Sequence, residues 1–327
     1  MVSDRGLKAM QLAVAAAAGG ATTVAALWAS SIVQRRRRRC LDVRARLGPL
    51  TVPGAYTEEL QVAADLALQC GKAMRHCLDT TRQTVWKDAA AIDPVTATDE
   101  ANERLVTEGL KARFPSHEVV GEEAAAAAGQ IPCISEMPTW VVDPIDGTTN
   151  FVHGMRLSVV SLGLCVGGVP VAGVVYDPYA DELFAAARGR GAYLNGRPIA
   201  VDGVQSLAQA MLQFEFGYVR TKDGVERMLG VLQALMLGGA RAVRTVGSCV
   251  LCLVWVACGR CSVYYCGVDK EGAKPWDYAA GSIIAQEAGA TLTDIHGETF
   301  SVEGKSCVCA ASPALAAELC KVIGSGS

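Results

Sequence analysis

The chain has no dominant charge. Its 327 residues carry 30 Lys+Arg against 33 Asp+Glu, a formal net charge of −3, so no global field favours nucleic acid as a partner. Histidine is scarce. His76, His117, His153 and His296 fall in no Ser-His-Asp arrangement that sequence can support, which leaves a serine relay without a base. No internal repeat is visible. Cysteine is plentiful, but its 13 copies are odd in number and scattered. Such a pattern fits unpaired thiols in a reducing compartment. Two C-x-x-C pairs, Cys249/Cys252 and Cys258/Cys261, lie in an apolar stretch of helical character. Zinc would take such ligands, but thiols in that setting behave chiefly as small hydrophobes.

Apolar residues make up 51% of the chain, enough for a sizeable core in one large domain or two smaller ones. The N-terminus differs in composition. Residues 9–33 are uncharged and rich in Ala, Val, Leu and Gly, and Arg35 to Arg39 follow as an unbroken basic run. That length can span a bilayer as a helix. The basic run would then set the rest of the chain on the cytosolic side. The expectation is a membrane-anchored protein with its catalytic part in the cytosol. The competing readings are a leader cleaved on entry to a plastid or mitochondrion and a disordered leader without a function of its own.

Residues 46–55, with two prolines and two glycines, read as a linker. Thr57 can cap a helix whose first turn holds Glu58 and Glu59, and Leu60, Ala64, Ala67, Cys70 and Met74 recur at helical spacing. A second helix is expected from about Thr98-Asp99, with Ala101, Leu105 and Phe114 on one side and Pro115 as its stop. Residues 117–121 and 139–143 read as strands. Leu157 to Val166 and Val169 to Tyr176, joined by Gly167-Gly168, give a hairpin signal, and Leu183 to Ala187 adds a strand. Beyond residue 200 the pattern predicts helix 222–237, strand 241–246, helix 248–258, strand 261–265 and a helix from Pro275. The whole is α+β, with layered halves divided near residue 200: a leader 1–50, then 51–200, then 201–327.

The most informative stretch is Trp140-Val141-Val142-Asp143-Pro144-Ile145-Asp146-Gly147-Thr148-Thr149-Asn150-Phe151. It reads as a buried strand running into two carboxylates and a glycyl-hydroxyl turn. Carboxylates this close repel unless a cation lies between them. The amides of Gly147 and Thr148 can face an anion, as at a helix start, and hard oxygen ligands beside an anion cradle suggest Mg²⁺ and phosphate. Alone, the segment is better explained as an ordinary loop. Other acids stand where elements begin or end: Glu122 and Glu123 after Gly121, Asp99 at a helix start, and Asp277 in the first turn after Pro275. Taken singly, each is a solvated loop acid, a cap or a first-turn acid.

Together these residues resemble the inositol monophosphatase family of Mg²⁺-dependent, lithium-sensitive phosphomonoesterases. Gly121-Glu122-Glu123, Asp143 to Thr149, Trp276-Asp277 with Gly281, and Thr96-Ala97-Thr98-Asp99 match its ordered motifs from about residue 57 to the C-terminus. The resemblance implies a layered αβαβα sandwich of the inositol monophosphatase and fructose-1,6-bisphosphatase type. It makes 51–200 the metal-binding half and 201–327 the half that completes the active site. It also implies two or three Mg²⁺ per site, inhibition by Li⁺, and a homodimer. One metal would be held by Glu122, Asp143 and the Ile145 carbonyl, a second by Asp143, Asp146 and Asp277, and a looser third by Glu122. Gly147 and Thr148 would bind phosphate. Thr148, Asp99 and Glu122 would be catalytic, with an activated water attacking phosphorus in line. Lys87 lies near the place of a family lysine, one residue out of step.

The resemblance is weaker at the substrate end. Tyr264-Tyr265 are followed by Cys266, where animal enzymes carry a glutamate that contacts inositol, and the stretch to Pro275 is longer. Asp269 or Glu271 is a candidate replacement. Gly247-Ser248-Cys249 replaces Gly-Thr-Ala, and Glu215 falls in a loop near the substrate. Glu215, Gly247, Ser248, Cys249 and Cys266 are therefore the implied substrate contacts. The expected substrate is myo-inositol 1-phosphate. The alternatives are histidinol phosphate, L-galactose 1-phosphate, or a membrane-tethered protein that binds metal or phosphate without turnover. Thr149-Asn150, where nucleotide phosphatases of this type carry Lys-Gly, argues against a nucleotide bisphosphate.

Overall fold

The computed structural model describes residues 41–77, 84–86, 94–268 and 272–326. The expected anchor at 9–33, the basic run Arg35 to Arg39, Lys87, Asp269 and Glu271 lie outside the described residues. Among the described residues, no helix is long and apolar enough to cross a membrane. Residues 46–327 cluster as one compact unit.

Chain order explains the layers. Helix α1 (Thr57–Cys77) is followed by a short antiparallel pair, β1 (Thr84–Trp86) and β2 (Pro94–Thr96), and by α2 (Ala97–Arg113). A seven-stranded sheet follows, built from β3 (Glu118–Gly121), β4 (Thr139–Asp146), β5 (Val159–Val166), β6 (Val169–Asp177), β7 (Glu182–Ala187), β8 (Ala192–Leu194) and β9 (Arg197–Pro198) in sequence order. Only β3 and β4 are parallel in it, because α3 (Glu122–Ala128) crosses between them. A five-stranded sheet takes β10 (Met211–Phe214), β11 (Ala242–Arg244), β12 (Val263–Cys266), β13 (Thr291–Thr293) and β14 (Cys307–Ala310) in the order β11-β10-β12-β14-β13.

Helices α1 and α2 cover the outer face of the larger sheet. Between the sheets lie α6 (Cys249–Ala257) and α7 (Pro275–Glu287). Helices α5 (Lys222–Leu237) and α8 (Pro313–Gly326) close the far side of the smaller sheet. The result is the expected αβαβα sandwich. The middle layer is hydrophobic all round. Every residue of α6 except Trp255 is buried, as a helix enclosed on both sides requires. It sits close: a Cβ at Gly163 or Gly173 would lie 2.6 Å from the Ala279 Cβ or 2.8 Å from the Ala280 carbonyl, so only glycine lets α7 approach β5 and β6.

Most expected elements form within a residue or two, and three details differ. The buried face of α2 is Asp99, Asn102, Glu103, Val106 and Leu110, whereas Ala101 is exposed and Leu105 half-buried. Polar residues occupy that face because they serve the site, which apolar spacing does not reveal. Strand β11 stops at Arg244, short of 246, because the amides of Val246 and Gly247 turn to Glu215 Oε1 at 2.9 and 2.8 Å. The expected linker is fastened down. Leu47 and Leu50 are buried, and Arg190 donates to the Val52 and Ala55 carbonyls at 2.7 and 3.0 Å and to Thr57 Oγ1 at 2.8 Å.

Candidate active site

Strand β4 carries the motif into a cleft of about 340 Å³ between the two sheets. In a regular strand, residues three apart point to opposite faces. Here the β4–β5 register shifts between Asp143 and Asp146. Pro144, which offers no amide to the ladder, lies at that irregularity. The break brings both carboxylates to one side. Ile145 N–H donates back to Asp143 Oδ1 at 3.0 Å and fixes that carboxylate. Asp277 arrives from the first turn of α7, where Pro275 starts the helix and Lys274 N–H donates to Asp277 Oδ2 at 2.6 Å. Asp143, Asp146 and Asp277 each present an oxygen within 4.8 Å of the others.

Burial pushes all three carboxyls up. Asp143 and Asp277 rise well above the usual carboxylate range, through desolvation first. The neighbouring acids add to it, Glu122 chief among them for Asp143 and Asp146 for Asp277. Asp146 rises to about 7, again through burial, although the Ser248 hydroxyl and Val250 amide pull it down. Its Oδ2 accepts Val250 N–H at 3.0 Å and a close hydrogen bond from Ser248 Oγ. Crowded, dehydrated carboxylates are stable as anions only beside a cation. The donors are all hard oxygens, which suits Mg²⁺.

Facing this cluster is the glycyl turn. Gly147 has φ +88° and caps the short helix α4 (Thr148–Val152). A Cβ there would lie 2.8 Å from the Leu157 carbonyl and 3.0 Å from that of Gly247. Thr148 Oγ1 donates at 2.9 Å to the Ile145 carbonyl and lies 3.3 Å from Asp99 Oδ1. Asp99 also caps its own helix: Oδ2 accepts Thr96 N–H at 2.9 Å and a close hydrogen bond from Thr96 Oγ1. The cap and the site role therefore coexist in one side chain.

Glu122, Asp143, Ile145, Asp146, Gly147, Thr148, Asp277 and the five implied substrate contacts all line this cleft; Asp99 reaches it through Thr148, and Glu123 does not line it. The Glu215 carboxylate lies against the Val246 and Gly247 amides. Ser248 caps α6 and bonds Asp146. Cys249 Sγ points to the Asp277 carbonyl at 3.7 Å, and Cys266 Sγ lies 3.1 Å from the Tyr278 hydroxyl.

Sequence reasoning missed two supports. Buried Glu103 accepts the Glu123 and Ala124 amides at 2.7 and 2.9 Å, so it caps α3 and fixes the turn that presents Glu122. Its signal was an acid one helical turn after Asp99. Asn150 donates to the Leu157 and Val246 carbonyls at 2.8 Å each, tying the glycyl turn to the loop before α6. The cleft also holds Tyr218, Arg220 and Lys274, which sequence reasoning had not singled out.

Buried hard oxygens that call for a cation, beside a glycyl turn whose amides can face an anion, fit metal-assisted hydrolysis of a phosphomonoester. The inositol monophosphatase family profile matches residues 55–326, and the chain belongs to that family. It is 44% identical over 262 residues to inositol monophosphatase 1 of Solanum lycopersicum, covering 80% of this chain and 93% of the relative. The fold matches the extragenic suppressor protein suhB of Bartonella henselae with a TM-score of 0.73 at 27% identity, over 83% of this chain and 100% of that one. It matches an inositol monophosphatase from Anabaena with a TM-score of 0.69 at 30% identity, over 84% and 98%. The chain is a phosphoric monoester hydrolase of a family that is Mg²⁺-dependent in general.

Proposed function

We propose that the chain hydrolyses myo-inositol 1-phosphate to inositol and phosphate. The metal-assisted hydrolysis rests on the Asp143–Asp146–Asp277 cluster in one cleft with the Thr148 hydroxyl, and the choice of ester on the relatives named inositol monophosphatase. Asp143, Asp146, Asp277, Glu122 and the Ile145 carbonyl would hold two Mg²⁺, with a looser third near Glu122 and Li⁺ as a competitor. Bound Mg²⁺ supplies neutralisation of the ester dianion and stabilisation of the leaving oxygen. The remaining steps belong to the chain. The Gly147 and Thr148 amides orient the phosphate. Thr148 Oγ1, with its proton held toward Ile145 and Asp99, keeps lone pairs free to accept a hydrogen from the attacking water. Asp99 takes up the proton that Thr148 relays. Glu215 keeps Val246 and Gly247 in place, which shapes the side of the cleft that receives the alcohol.

The test is a panel of phosphomonoesters assayed with Mg²⁺. Highest kcat/KM on myo-inositol 1-phosphate supports the reading. Preference for histidinol phosphate or L-galactose 1-phosphate overturns the substrate. Mg²⁺ binding without turnover of any ester overturns the activity in favour of a binding protein.

Two wider properties belong to the same reading. The chain works as a homodimer, which sedimentation of the purified protein checks. Residues 9–33 anchor it with the catalytic part in the cytosol. Recovery of the full-length chain with membranes supports the anchor, and a shortened form in plastids or mitochondria overturns it.

A further inference from the structure

Cys249 and Cys266 meet in the wall of the cleft. Both line it, from the first turn of α6 and the last residue of β12. Each thiol is a hydrogen-bonding neighbour of the other. The Tyr278 hydroxyl lies 3.1 Å from the Cys266 sulfur and itself accepts the Ala273 amide at 3.3 Å. A sulfur ringed by donors is held ready as a thiolate, the form that attacks disulfides. A second thiol touches it, and the cleft opens both to small solutes. The other flanking thiol, Cys307, is the cross-strand partner of Cys266 but does not line the cleft.

We propose that Cys266 is a modification site for low-molecular-weight disulfides, resolved by Cys249 into an intramolecular bridge that shuts the cleft. Cys266, having lost its proton to solvent, attacks one sulfur of the small disulfide. A Cys266–S bond forms, the small S–S bond breaks, and one small thiolate leaves and takes up a proton. Cys249 then loses its proton and attacks the Cys266 sulfur, expelling the second small thiol. Two protein thiols are oxidised and one small disulfide is reduced to two thiols. The contacts around Cys266 support the order of attack: hydrogen bonding, led by Cys249, lowers its thiol to about 7, and the Tyr278 hydroxyl lies 3.1 Å from its sulfur. Cys249 Sγ also meets the main chain of Asp277, so drawing it toward Cys266 disturbs the carboxylate cluster. The covalent step stands on the thiol pair alone; its effect on turnover rests on the phosphatase reading.

The experiment treats the reduced full-length protein with oxidised glutathione, then digests it without reduction. The expected result is a peptide pair joined through Cys249 and Cys266. Turnover of the preferred phosphomonoester should fall at least tenfold in step with it, and dithiothreitol should restore it. In Cys249→Ser, Cys266 should stop at the glutathione mixed disulfide. The proposal is overturned if Cys266 stays open to maleimide while exposed Cys133 takes up glutathione. It is also overturned if Cys266 pairs with Cys307, or if the bridge forms with kcat/KM unchanged. A reduced protein that hydrolyses no phosphomonoester yet forms the bridge upholds the modification site and sinks the phosphatase reading instead.

Discussion

Asp143 and Asp146 turn their carboxylates to one point from a single strand, and the register shift between them makes this happen. Regular pleating would send one into the sheet's opposite face. The irregularity thus creates the cluster that Asp277 completes from a different layer.

Replacing Asp277 by Asn should remove one oxygen anion from the cluster without removing its cap geometry. Activity should fall by about a hundredfold or more, since losing metal-assisted charge stabilisation costs several kcal/mol. The fold should persist. Melting in EDTA should not fall, because the amide is neutral where burial and the Asp146 carboxylate already disfavour an anion, whereas Mg²⁺ should no longer raise the melting temperature. Near-normal turnover in this variant would refute the ligand assignment.

The raised carboxyls give a signed pH dependence. Between the ordinary carboxylate value of about 3.9 and about 7 for Asp146, the folded metal-free protein binds more protons than the unfolded chain. Its stability should therefore fall as pH rises through that window. Melting in EDTA at pH 5 should exceed melting at pH 8 by more in the native protein than in Asp146→Asn. Calorimetry should show Mg²⁺ binding weakening as pH drops below 7, with protons released on binding.

Glu103→Gln should act through Glu122. One carboxylate oxygen now accepts each of two amides. The amide variant keeps one acceptor and turns an NH₂ toward the other donor, a loss of about 1–3 kcal/mol. The expected signature is a several-fold rise in the Mg²⁺ concentration for half-maximal rate, larger than any change in KM for the ester.

Thr148→Ala should lower kcat by about 10²–10⁴, the usual range for a lost proton-transfer partner. Thr148→Ser, which keeps the hydroxyl, should recover most of it. Equal rates for the two variants would exclude the hydroxyl from the reaction.

Gly147→Ala tests the turn. It demands a left-handed backbone of a residue with a Cβ, a cost of about 1–2 kcal/mol, and places that Cβ against the Leu157 carbonyl. Lower thermal stability together with weakened inhibition by inorganic phosphate is expected.

Much of this was legible in the chain. The strand–turn motif, the helix from Pro275 and the hairpin over Gly167-Gly168 each follow from local rules: apolar runs, proline at a helix start, and two glycines at positive φ. The acids were legible as a set because their order matches a family pattern. The buried face of α2 was not, because Asp99, Asn102 and Glu103 are buried for the groups they serve, and a hydrophobic period does not count them. Nor was the tying of residues 46–55 to Arg190, since no local signal links a loop to a distant guanidinium.

The sequence by itself determined the residue types and their local settings: two aspartates around a proline, a glycine that permits the turn, acids in first turns. These are properties of neighbours along the chain, where backbone stereochemistry acts. Only the tertiary structure decided which oxygens share a cleft. Asp143, Asp146 and Asp277 meet because a strand irregularity and a helix packed between two sheets converge. Their raised carboxyls, and the contact of Cys249 with Cys266, come from desolvation and proximity, which exist only once the layers have closed.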